Sequence, residues 1–156
     1  MSSTIKTHAT IRQAMAGDMS AVAAIERDSF ADPWSEWSFQ ELLGSRAAIF
    51  LVATRSDPTV IFGYIVAVAV GDQAEILNLA VAPSSRRHGL GSELLDAGIA
   101  AVSARGAREV FLDVRESNKS ALGLYGSRGF AALARRSRYY RNPVEDALVL
   151  RLAVER

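Results

Sequence analysis

Two spacings of apolar residues alternate along the chain. Behind Asp18, Val22, Ile25, Ser29 and Phe30 recur at helical spacing, which predicts an amphipathic helix over 19–30 with Asp18 as its N-cap. Asp32-Pro33 breaks it, and Ser35 can cap a second helix over 36–43 that presents Phe39, Leu42 and Leu43 on one side. A short strand, Thr10-Ile11-Arg12, precedes both. The next stretch is β-rich: apolar runs over 48–54, 60–70 and 75–81 are separated by Ser56-Asp57-Pro58 and Gly71-Asp72, the pattern of an antiparallel meander. After Pro83 the helical period returns in Leu90, Leu94, Leu95, Ile99 and Val102, and Gly106 closes that helix. A strand follows over 109–114. Ser117 or Asn118 then caps a helix carrying Ala121, Leu122, Leu124 and Tyr125 that ends at Gly129, and runs over 130–140 and 147–152 read as two final strands.

The order is strand, two helices, three strands, helix, strand, helix, two strands. A meander joined to strand–helix–strand units predicts one α/β (α+β) layered domain over 1–156, with residues 1–9 a flexible leader. The leader is polar and has no apolar h-region, and the longest apolar run, 60–70, is interrupted by Gly63 and too short to span a bilayer. A soluble, cytoplasmic, monomeric protein is therefore expected, without membrane contact. Charge adds little: 18 basic against 17 acidic residues give a net +1, so nothing global draws the chain to nucleic acid. There is no cysteine, hence no disulfide scaffold or thiolate chemistry, and His8 and His88 form no cluster that suggests a metal.

The most informative segment is Val81-Ala82-Pro83-Ser84-Ser85-Arg86-Arg87-His88-Gly89-Leu90-Gly91. A strand ends, a basic glycine-containing loop follows, and a helix begins. Unpaired N–H groups at a helix start suit an anion, above all a diphosphate, and glycine lets the backbone approach it. The loop fits neither the P-loop nor the Rossmann pattern. Taken alone, it could be an ordinary strand-to-helix turn with solvated arginines.

Its context narrows the choice. Arg86-x-x-Gly89-x-Gly91 resembles the [Q/R]-x-x-G-x-[G/A] motif of the GNAT acetyltransferases. Four further segments resemble the RimI-type members of that superfamily: Asp32-Pro33-Trp34-Ser35; Glu75-Ile76-Leu77-Asn78-Leu79-Ala80-Val81; Leu112-Asp113-Val114-Arg115-x-x-Asn118 with Leu124-Tyr125 and Gly129-Phe130; and Tyr139-Tyr140 with Glu145-Asp146-Ala147. The resemblance implies a GNAT fold, a mixed and mostly antiparallel sheet of about six to seven strands with helices on both faces. It also implies a splay between the strand ending at Val81 and the one ending at Val114, where acetyl-coenzyme A binds. Leu79, Ala80 and Val81 would pair with the pantetheine amides like an added strand. Arg86, Arg87, His88, Gly89, Leu90, Gly91 and Ser92 would hold the diphosphate. Asn118 matches a cofactor-contacting position and can equally serve as a helix cap.

The implied activity is transfer of an acetyl group to a protein N-terminus, namely the N-terminal alanine of a small-subunit ribosomal protein, number eighteen. The chemistry is favourable. An α-amino group titrates near about 7.7–8.0 and lysine near about 10.4, so deprotonation at pH 7 costs about 1 kcal/mol for the first and nearly 5 for the second. A modest base therefore suffices. The resemblance assigns Tyr125 as the acid near sulfur, with core packing as the alternative. The family glutamate of L-E-V-R is Asp113 here, one methylene shorter. Glu75 is a second candidate base, because some GNAT branches place their base on that strand, and alternation puts Glu75, Leu77 and Leu79 on one face. Trp34, Tyr139 and Tyr140 would flank the peptide entrance. Three other readings stay open: acetylation of a small amine, a non-catalytic coenzyme A-binding module, and nucleic-acid binding through Arg135, Arg136, Arg138 and Arg141.

Overall fold

Side chains alternate across a strand, so a sheet covered on both faces needs apolar residues on both. The central strands meet that demand. In the computed structural model, which describes residues 9–154, β1 (Thr10–Gln13), β2 (Ala48–Thr54), β3 (Gly63–Val70), β4 (Gln73–Val81), β5 (Glu109–Arg115), β6 (Ala131–Tyr140) and β7 (Glu145–Ala153) form one sheet in the order β1-β2-β3-β4-β5-β7-β6. Neighbours run antiparallel except β4 and β5, which are parallel. Helices α1 (Met19–Ser29) and α2 (Glu36–Leu43) pack on one face against Phe50, Val52, Tyr64 and Val66. Helices α3 (Leu90–Ala104) and α4 (Lys119–Ser127) cover the other, against Ile65, Ala67, Ile76 and Leu112. Leu90, Leu94, Leu95 and Val102 anchor α3 with at most 1% exposure, each contributing roughly 1.5–3 kcal/mol by burial. Among the described residues no helix is long and apolar enough to cross a membrane. The expected leader lies outside the described residues apart from Ala9, which packs half-buried against the core.

The element order is the expected one, with local corrections. Ser35 caps α2 by accepting from the Ser38 N–H, and Asn118 caps α4 by accepting from the Ala121 N–H. Asp18 does not cap α1. Its carboxylate accepts from the Met15 N–H and pairs with Arg12 at 2.7 Å, because a cation on the neighbouring strand outcompetes the helix end. The Arg12 guanidinium accordingly holds the Asp18 carboxyl below its ordinary range. β3 begins at Gly63 rather than residue 60, because Asp57 captures Thr59 through its backbone N–H and hydroxyl and spends those residues in a turn.

One correction matters for function. The register between β3 and β4 slips at Val66/Ala67: Val66 pairs with Asn78 and Ala67 with Ile76, so Leu77 is an extra residue. This bulge turns Leu77 and Asn78 to the same face and returns Leu79 to the α3 side. Glu75 and Leu77 do share a face, but Leu79 does not join them.

Gly63 shows how tightly α3 sits on the sheet. A Cβ there would lie 2.8 Å from Leu94 Cδ1 and 3.0 Å from the Ala80 carbonyl oxygen. The backbone oxygen cannot move aside, so Gly63→Ala is expected to destabilise by about 1–3 kcal/mol in urea unfolding. Gly44→Ala, whose Cβ would meet its nearest neighbour at an ordinary 3.6 Å, is the control and should stay within about 0.5 kcal/mol.

Candidate active site

β4 and β5 are joined at only three residue pairs, Gln73 with Glu109, Ala74 with Val110 and Glu75 with Phe111. Beyond these, among the described residues, β4 pairs with β3 alone and β5 with β7 alone. The strands diverge around a cleft of about 470 Å³ whose wall includes Leu77, Leu79, Leu112, Val114, Asn118 and Tyr125. A strand edge without a partner offers its N–H and C=O groups to an extended ligand that carries amides. Leu79 lies on this wall, while Ala80 and Val81 follow it with their side chains turned into the two core layers. Only their backbone could meet a ligand.

At the end of β4 the chain makes a 3-10 turn (Pro83–Ser85) and enters α3 through two left-handed residues, Arg87 at φ 68° and Gly89 at φ 78°. Its chain neighbours aside, no atom of the described residues lies within 4 Å of where a Gly89 Cβ would be, and residues 86–89 are exposed. The first turn of α3 thus presents its N–H groups to open space, with Leu90 buried as an anchor and Gly91 close to Val81 and Leu124. Arg86 is committed elsewhere: its Nε donates to the Val81 carbonyl at 3.1 Å and Nη2 to Ser29 Oγ at 3.0 Å. It fastens the loop to α1, so its own approach to an anion would be through the backbone. Arg87, His88 and Ser92 stand around the same helix start.

The cleft brings Tyr125, Asp113, Asn118, Trp34 and Tyr140 together, and Glu75 sits on the same sheet face one rung below Asp113. Tyr125 is 7% exposed, packed edge-on against Phe130 with ring centroids 5.5 Å apart. Burial, with the nearby Tyr140, pushes its phenol well above the ordinary range. Its hydroxyl therefore stays protonated at neutral pH and remains a donor. Asp113 is paired at 3.2 Å with Arg136, an exposed side chain whose grip is weak. Tyr140 is pushed up to about 12 by burial and then by Asp113, and Arg115 lies over its ring at 4.6 Å. Tyr139 stacks edge-on against Tyr140 but stays largely exposed, outside the cleft wall.

Burial, then the charge of Asp113, raises the Glu75 carboxyl, while Arg136 opposes the shift. A carboxyl raised on folding favours the folded state in acid, and that contribution is lost as pH rises through the raised value. Glu75→Gln is permanently neutral. Its thermal midpoint at pH 7 should equal or exceed the wild type, with the difference shrinking toward about pH 4. A midpoint lower at pH 7 that recovers in acid would contradict this sign.

Glu26 escaped sequence reasoning. It is 1% exposed, lines the cleft, and accepts from the Trp34 N–H at 2.8 Å, the Tyr64 hydroxyl and both approaches of Asn78 Nδ2. A signal was present: Met19, Val22, Ala23 and Glu26 occupy one helical face, and an acid on an otherwise apolar stripe demands partners. Across the opening, Asn142 Nδ2 donates to Asp32 Oδ1 at 2.8 Å, so the α1–α2 loop meets the β6–β7 turn. Arg115 holds that turn by donating to the carbonyls of Arg141 and Pro143. Trp34 packs on Phe39 with centroids 5.5 Å apart while facing the cleft, whereas Trp37 is 67% exposed and does not line it.

Comparisons agree with this geometry. Residues 19–130 match the acetyltransferase (GNAT) family. The ribosomal protein bS18-alanine N-acetyltransferase of Escherichia coli (strain K12) is 33% identical over 93% of this chain and 97% of its own length. The enzyme of the same name from Salmonella typhimurium is 36% identical over 88% of this chain and 92% of its own. The crystal structure of the ribosomal-protein-S18-alanine N-acetyltransferase from Escherichia coli superposes with a TM-score of 0.86, covering 96% of each chain at 31% identity.

Proposed function

The chain belongs to the acetyltransferase (GNAT) family, and from that premise we propose that it acetylates the N-terminal α-amine of a protein, with an alanine-starting bS18 N-terminus as its substrate. The observation that carries the reading is the divergence of β4 from β5 after three rungs, with Tyr125 and Asp113 on the walls of the same cleft.

The donor set fits acetyl-coenzyme A. The open helix start at Gly89–Ser92 suits a diphosphate, the unpartnered edge of β4 suits the amides of an extended arm, and the Asn118 NH2 is left over once its carbonyl caps α4. When bound there, the cofactor supplies the acetyl group as an activated thioester. The remaining chemistry belongs to this chain. The carboxylates of Asp113 and Glu75 accept the proton that the amine must lose, directly or through water, and burial with the charge of Asp113 raises the proton affinity of Glu75. Tyr125 holds a donor O–H in a buried wall where a leaving thiolate needs one. Trp34 and Tyr140 shape the side from which the peptide arrives. This substrate would be met in the cytoplasm.

The test is mass spectrometry of alanine-starting peptides incubated with enzyme and acetyl-coenzyme A. Gain of one acetyl group at the α-amine is expected. Acetylation of free polyamines alone would replace this reading with a small-amine one, and cofactor binding without turnover on any amine would remove catalysis from it.

A further inference from the structure

One polar side chain on the cleft wall has no task in this mechanism. Asn78 lies at the β4 bulge and lines the cleft together with Tyr125 and Asp113. Its Nδ2 donates to both oxygens of Glu26, at 2.8 and 3.0 Å. The other partners of Glu26, the Tyr64 hydroxyl and the Trp34 N–H, are donors too. A carboxylate so surrounded has nothing to donate, so the Asn78 amide can be held only one way round, nitrogen toward Glu26 and oxygen away from it. Glu26 and Tyr64 are fully buried, which fixes that orientation within the core. The oxygen, Oδ1, has no donor among the described residues.

A neutral primary amine brings two N–H groups and one lone pair. We propose that Asn78 is a substrate-orienting residue whose Oδ1 accepts one N–H of the incoming amine, and that Glu26 is the positioning residue that keeps this oxygen facing the cleft. The proposal rests on the acetyltransferase reading of the same cleft. The N–H held by Asn78 remains in the product amide. The lone pair is left free to attack, and the second N–H is the proton released to the Asp113 and Glu75 pair.

Steady-state kinetics on an alanine-starting peptide test this. Asn78→Ala should raise the peptide KM by about tenfold, the worth of one hydrogen bond, with the acetyl-coenzyme A Kd unchanged. Glu26→Gln replaces one of the two oxygens that face Nδ2 by an NH2, which weakens the hold on the amide and lets it turn to put a donor where the acceptor was. It should reproduce the KM effect with Asn78 still in place. The double variant should be no worse than Asn78→Ala alone, since the two act as one unit. A wild-type peptide KM in Asn78→Ala overturns the proposal, and fully additive effects in the double variant overturn the role of Glu26. Should Asn78→Ala fail to fold, a peptide starting with N,N-dimethylalanine, whose neutral amine has no N–H, can serve as a competitive inhibitor of the wild-type enzyme at a pH where the amine is neutral. Its Ki should exceed the KM of the alanine peptide by about tenfold, and an equal value overturns the contact. Wild-type enzyme that acetylates no peptide would be a failure of the functional reading itself.

Discussion

Tyr125→Phe is expected to lower kcat by about 10²–10³-fold while leaving the acetyl-coenzyme A Kd and the thermal midpoint near wild type. The substitution removes one oxygen and little else. The ring keeps its edge-on contact with Phe130 and its place in the core below α4. What disappears is a hydroxyl whose burial holds its proton firmly at neutral pH. A donor with that affinity keeps its proton, and it can hold the forming thiolate through an O–H hydrogen bond while the thiolate takes its own proton from solvent as it leaves. Because Phe leaves binding surfaces intact, the loss should fall in kcat rather than in either KM. Single-turnover measurements would check this directly. Turnover at the wild-type rate would remove Tyr125 from the mechanism and leave it a core residue.

Gly89→Val should weaken acetyl-coenzyme A binding by about a hundredfold, read by calorimetric titration, with the fold retained. The residue holds φ 78° at the N-cap of α3, a conformation that costs an L side chain roughly 1–2 kcal/mol. No neighbouring atom lies within 4 Å of the added Cβ, so the protein has room for the side chain. That room is the space over the first turn of α3 where a diphosphate would meet the N–H groups. Each charge-assisted hydrogen bond lost is worth about 1.5–3 kcal/mol, enough for a hundredfold change from one or two of them. Unchanged affinity in a folded Gly89→Val protein would move the anion seat elsewhere.

Features set by local chemistry could be read from the chain. Ser35 and Asn118 cap their helices because a short polar side chain bonds a backbone N–H three residues on, and that choice is made within one turn. The order of elements followed from periodicity for the same reason. Features that depend on distant partners could not be read. Asp18 looked like a cap until Arg12, on a strand, claimed it. The run from Glu75 to Val81 reads as one unbroken strand, and its extra residue exists only relative to the register of β3. Glu26 meets Asn78 across 52 residues, and Arg86 meets Ser29 across 57, so neither bond could be seen in local sequence. Within the candidate site, the residues around Gly89, Asp113 and Tyr125 were therefore visible as motifs, while the carboxylate bonded to Asn78 was not.

Three rungs at the base of β4 and one hydrogen bond between Asp32 and Asn142 make the cleft behave as a pair of jaws. The rungs are the hinge and the Asp32–Asn142 contact is the clasp. A ligand that wedged the strands apart would turn one plate of the sheet against the other about that hinge. The clasp is an exposed bond that yields for about 1 kcal/mol, whereas the hinge is backbone pairing inside the sheet. Opening is therefore easy on the side of Asp32 and Asn142, and stiff at the level of Glu75, just beneath Asp113.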